Sequence, residues 1–315
     1  MIQIRNFAAL ALGASLLSFP ALAQDAESCS TVRLSDVGWT DITSTTAVAS
    51  NILSGLGYEP DVKILSVPVT FASLSNNDID VFLGNWMPAQ LEPIKKYLDD
   101  GSIVQVKANL EGAKYTLAVP KYLYDKGLKD FADIQKFRDE LGGKIYGIEP
   151  GNDGNSLVLG MIEKDEFGLK GFDLVASSEQ GMLSQVARAT KADKPIVFLG
   201  WAPHPMNSNY DIEYLTGGDD TFGPDYGGAT VYTVERKDFA TDCPNLAKLF
   251  ENLTFDLPME NEIMGKILDD KQKPNEAAAA WIKANPDRLD AWLEGVTTLD
   301  GQDGLPAVKS SLGLS

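Results

Sequence analysis

Three tryptophans stand beside or one residue from glycine at widely separated points of the chain. Trp39 lies in DVGWTD (residues 36–41), Trp86 in FLGNWMP (82–88) and Trp201 in FLGWAPHPM (198–206). Each comes where an apolar run stops, and proline follows closely in the second and third stretches. An indole so placed can plug the space beneath a loop or present its face to a ligand, and the repeated arrangement favours the second. Sugars stack on such faces, but they also need many donors and acceptors around their hydroxyls. A quaternary ammonium has no N–H to donate, and its diffuse charge is attracted to ring quadrupoles by about 0.5–2 kcal/mol per contact. Trp281 and Trp292, in AAAAWIKANPDRLDAWL, have helical surroundings and are expected in the core instead.

Other residues could share in this chemistry. Two roles are open to Asp41: a first-turn carboxylate favoured at a helix N-terminus, or a counter-charge and hydroxyl acceptor for the ligand, with Thr40 free to take the cap. Tyr115, in GAKYTLAVP, is either a fourth aromatic wall or an ordinary sheet residue. Asn152, in EPGNDG, is either a turn former or a polar ligand contact. Catalysis finds little support. There is no G-x-S-x-G nucleophile elbow for an ester hydrolase, and the single histidine, His204, sits between two prolines. Neither a phosphate-binding G-x-x-x-x-G-K-[ST] segment nor a calcium-loop pattern occurs, so no cofactor or metal is expected. The pairs Asp219-Asp220 and Asp269-Asp270 read as solvated turns.

The elements that must position these residues alternate in type. Strands are expected over 32–37, 62–67, 79–83 and 103–106, with helices over 43–56, 69–76 and 89–98. A second series follows, with strands over 115–119, 144–148, 172–175 and 195–199 and helices over 133–141, 157–164 and 179–190. A return strand over 229–234 and helices over 245–253, 260–268, 275–283 and 289–293 complete the chain. This is the grammar of an α/β protein with parallel sheet covered on both faces. Trp39, Trp86 and Trp201 then follow strand C-termini, the ligand edge of such sheets.

Residues 1–23 read as a signal peptide: Arg5 precedes an apolar run over 7–17, and Ala21-Leu22-Ala23 has the small-x-small form of a cleavage site. The remainder is expected to be an exported soluble protein with no direct membrane anchor. The formal net charge of −18 opposes nucleic acid and anionic surfaces and modestly favours small cations, although solubility alone also accounts for it. The two cysteines, Cys29 and Cys243, are expected to pair in an oxidising compartment, closing a loop worth about 5 kcal/mol in the chain-entropy model. Such a bond places both ends of the chain in one domain, 24–111 plus 203–315, with a second domain, 112–202, inserted and strand crossings near Gly112 and Ala202. A cleft between two such domains is a natural ligand site.

DVGWTD, FLGNWMP, GAKYTLAVP, EPGNDG and FLGWAPHPM together resemble the periplasmic substrate-binding proteins of ABC importers for quaternary amines, most closely their choline-binding group. The resemblance spans almost all of the chain after residue 23. It implies a two-lobed periplasmic binding protein fold, with the ligand cleft between hinged Rossmann-like domains. It further implies an aromatic box of Trp39, Trp86, Tyr115 and Trp201 around a trimethylammonium head, a ligand contact for Asp41, and a polar role for Asn152 near the choline hydroxyl. Pairing of Cys29 with Cys243 follows from it as well. The partners implied are choline and a cognate inner-membrane ABC permease with a separate ATPase subunit. The protein itself is expected to be a monomer and not an enzyme. Glycine betaine and proline betaine are the alternative ligands, with acetylcholine secondary.

Overall fold

The computed structural model describes residues 25–314, so the expected signal peptide lies outside the described residues. Nine strands form one sheet: β1 (Thr31–Asp36), β2 (Glu59–Ile64), β3 (Val81–Met87), β4 (Ile103–Pro120), β5 (Lys144–Tyr146), β6 (Asp173–Val175), β7 (Phe198–Ala202), β8 (Ile212–Tyr214) and β9 (Gly228–Arg236). Their order is β2-β1-β3-β9-β4-β7-β5-β6, with β8 beside the far end of β4. The two flanks, β2-β1-β3 and β7-β5-β6, are parallel as expected. The centre is not, because β9 pairs antiparallel with both β3 and β4, and β7 antiparallel with β4. The physical reason is topological. β4 leaves the first flank for the second and β9 comes back, so the two passages run in opposite directions.

β4 occupies 18 residues, where two separate strands over 103–106 and 115–119 are expected from the pattern. Between them the sequence is polar and half exposed, and the ladder to β9 shifts register between Gln105 and Lys107, Ala108 and Leu110, and Leu110 and Ala113. Gly112, at φ +75°, supplies the left-handed residue at the last irregularity. The return passage follows β9, whose first residues, Gly228 and Ala229, pair with Lys114 and Ala113. The chain from Ala202 to that point stays on the second side, with β8 pairing to Ala118–Pro120.

Strands β3 and β7 run through Trp86 and Trp201 rather than stopping at Leu83 and Leu199. Their glycines read as strand ends, but packing is what requires them. A Cβ on Gly84 would lie 2.7 Å from Phe82 and 2.8 Å from Ile42. In both strands the next X-Pro peptide, Met87-Pro88 and Ala202-Pro203, is cis.

Helix α1 (Thr40–Gly55) is buried along most of its length although it is rich in serine and threonine. Several of the hydroxyls bond back to the helix itself: Ser44 donates to the Thr40 carbonyl and Ser50 to the Thr46 carbonyl, at 2.7 Å each. Two more helices matter for the site, α2 (Asp153–Glu163) and α3 (Glu179–Lys191), both among the parallel strands of the second flank. Helices α4 (Pro244–Asn252), α5 (Leu257–Leu268) and α6 (Pro274–Ala284) return to the first side, where α5 and α6 pack on α1. Cys29 and Cys243 are joined, with 5.9 Å between their Cα atoms, which ties the start of the described chain to the beginning of α4. Trp281 and Trp292 are core residues as expected, with ring centroids 6.4 Å apart.

Candidate functional site

Five of the six expected residues meet around one small cavity between the two sides of the molecule. Trp39, Asp41 and Trp86 line it from the first side; Tyr115 and Trp201 line it from the second, together with Ile148 and Asp153. The space these residues surround, counted together with its opening to solvent, is about 250 Å³.

The ring geometry makes walls. Trp86 and Tyr115 have centroids 6.1 Å apart and planes at 64°, while Tyr115 and Trp201 are 6.3 Å apart at 83°. Phe222 supports Tyr115 from behind, edge to face, at 6.0 Å. Rings set edge to face leave faces free, whereas stacked rings would cover one another. Tyr115 is further held by its hydroxyl, which donates to Asn152 Oδ1 at 2.9 Å. Glycine at 154 is obligatory for that placement, since a Cβ there would stand 2.0 Å from Tyr115 Oη.

Asp41 does not cap α1. Trp39 occupies the N-cap position, and neither Asp41 carboxylate oxygen has a protein hydrogen-bond partner although the residue is 1% exposed. Burial, reinforced by the nearby Glu179, pushes its pKa up to about 8. An isolated carboxylate in such surroundings is costly unless a positive charge joins it. Asp153 is the second acid of the cavity. Its Oδ2 is likewise unpartnered, and burial raises it to about 7.

Asn152, expected near the ligand's hydroxyl, stands one step back and is not among the lining side chains. Its Oδ1 accepts from Tyr115 and from the Asn155 N–H, capping α2, and its Nδ2 donates to Glu149 Oε1 at 3.2 Å. Glu149 in turn accepts the Trp39 indole N–H at 2.9 Å, a bond across the cleft, and burial raises its pKa. Sequence reasoning missed Asp153, Glu149 and Ile148. Asp153 and Glu149 lie in the turn-rich EPGNDG segment, where the adjacent asparagine drew the functional reading and an acid is unremarkable.

His204 is buried and structurally occupied. Its Nδ1 accepts the Met206 N–H at 2.9 Å and its Nε2 meets Glu179 Oε1 at 3.2 Å. Among the described residues no group of histidine, cysteine and acidic side chains is placed to hold a metal ion, and no helix is long and apolar enough to cross a membrane.

Comparison with known proteins identifies the family. The OpuAC family model, the substrate binding domain of ABC-type glycine betaine transport systems, matches residues 30–284. A solved ABC-transporter choline binding protein in complex with choline is 63% identical, over 92% of this chain and 100% of that one, with a TM-score of 0.91. A choline binding protein in an unliganded semi-closed conformation is 64% identical, over 91% and 100% of the chains, with a TM-score of 0.84. Lactococcal OpuAC, in a closed conformation with glycine betaine, is 26% identical, over 83% and 98% of the chains, at a TM-score of 0.76.

Proposed function

Since the chain belongs to the OpuAC family of ABC-type substrate-binding domains, we propose that it captures choline in the periplasm and delivers it to an ABC importer. It is a binding component with no catalytic role. The observation that carries the choice of ligand is the lining of the cavity, four aromatic rings and two carboxylates with no basic side chain. Rings hold the trimethylammonium head through their faces, each contact contributing about 0.5–2 kcal/mol. Asp41 supplies the counter-charge, and Asp153, with its free oxygen, accepts from the ligand hydroxyl. Asn152 acts through others by holding Tyr115 and Glu149.

Glycine betaine carries the same head with an acid tail. That tail would be brought against Asp41 and Asp153 and would find no guanidinium or ammonium in the lining. Acetylcholine keeps the head and lacks the acid, but its ester removes the hydroxyl that Asp153 would accept from, so it ranks below choline. Closer superposition on a choline-bound relative than on an unliganded semi-closed one fits a closed form of this chain. In that form the ligand touches both lobes at once, so binding shifts the population toward closure. The closed outer surface is read by a cognate inner-membrane permease with a separate ATPase subunit, and the binding protein works as a monomer.

Titration of intrinsic tryptophan fluorescence with choline, acetylcholine, glycine betaine and proline betaine tests the reading. Choline is expected to saturate first. Betaine binding as tight as choline or tighter would overturn the ligand assignment.

A further inference from the structure

We propose that Glu179 is a closure latch, a positioning residue that joins the lobes when the aromatic box shuts and thereby sets how long the ligand stays. The inference rests on the capture reading but concerns a residue outside the cavity lining. Glu179 opens α3 on the second side, and its carboxylate reaches the first side, where Oε2 accepts the Thr40 N–H at 2.8 Å and Oε1 accepts the Thr40 hydroxyl at 2.5 Å. Thr40 is the first residue of α1, a helix whose N-cap, Trp39, has no side-chain bond to offer. The N–H groups of a helix's first turn have no partner within the helix, and the positive end of its dipole favours an anion. Here the opposite lobe provides that anion.

The latch is tied to the box at both ends. Thr40 lies between Trp39 and Asp41, which both line the cavity. On the other side His204 holds the carboxylate. Its Nδ1 accepts the Met206 N–H, which leaves Nε2 to carry the ring proton and donate to Glu179. The His204 ring stands 4.9 Å from the Trp201 ring, centroid to centroid, at 67°. Closing the indoles around a ligand and seating Glu179 on α1 are therefore one movement. Opening exchanges a buried, charge-assisted set of bonds for water.

The test is stopped-flow kinetics on wild type, Glu179→Gln and Glu179→Ala, with thermal melts in the presence and absence of ligand. Dissociation should accelerate about tenfold or more in both variants while association changes by less than about threefold, because the contact is made after encounter. The melting temperature of the ligand-free protein should stay the same and the ligand-induced rise should shrink. Dissociation at the wild-type rate would overturn the latch, as would a ligand-free melt lowered as much as the liganded one, which would mark Glu179 as a residue stabilising one lobe. The wild-type arm separates this from the choice of ligand: the latch is tested with whichever of choline or glycine betaine saturates the wild type, and only failure of choline counts against the capture reading.

Discussion

Asp41 has a counter-charge role because of what surrounds it. Its oxygens have no protein partner, and the rings around it offer none. Asp41→Asn is expected to weaken choline binding by about tenfold or more, as loss of a charged contact does, with a smaller change for glycine betaine. Calorimetry on both ligands checks this, and unchanged choline affinity would remove Asp41 from the site. Trp86→Ala should cost choline a comparable factor through the lost ring face and its packing. At this scale the sequence was legible where a rare side chain recurred in the same setting, as with Trp39, Trp86 and Trp201. Asp153 was not, since an acid next to Asn152 in a turn has an ordinary local explanation and its burial depends on the opposite lobe. Glu179 is similar: it reads as a first-turn acid of its own helix, whereas the helix end it serves is that of α1.

Alternating strands and helices were readable from apolar periodicity, and the parallel flanks follow from them. The long crossing strand β4 was not, because its middle is polar and bulged, which in sequence is the signature of a loop. The glycines of β3 and β7 misled in the same way, since close packing and chain breaking call for the same residue. Gly154 makes an element-level prediction. Alanine is a better helix former than glycine, yet Gly154→Ala must displace the Tyr115 ring, so choline affinity should fall even though α2 itself gains helix propensity. Retained affinity, measured by calorimetry, would show that the Tyr115 wall tolerates the shift. Replacing Cys29 and Cys243 by serine should lower unfolding free energy by about 2–5 kcal/mol in denaturant titrations, with little change in choline affinity, because the bond lies outside the cavity lining. An equal loss of affinity would instead place the disulfide in control of the lobes.

For the whole molecule, the buried acids oppose closing on nothing. Asp41 at about 8 and Asp153 at about 7 are raised by burial in the closed form, and burial also raises Glu149. In an open form, water returns the cleft acids Asp41, Asp153 and Glu149 toward ordinary carboxylate values, so closing without ligand takes up protons. A raised carboxyl favours the closed empty form below its ordinary value, near 4, and that advantage is lost as pH rises to about 8. A bound cation removes the penalty by pairing with the ionised acids. Small-angle scattering of the ligand-free protein should therefore show a more open molecule at pH 8 than at pH 5, and a constant radius of gyration would contradict this. The cation-selective box itself is tested most directly by a crystal structure of the choline complex. The quaternary nitrogen is predicted within about 6 Å of the ring centroids of Trp39, Trp86, Tyr115 and Trp201, with Asp41 and Asp153 at its flank. Choline seated elsewhere, or those rings drawn apart around an unfilled gap, would contradict it.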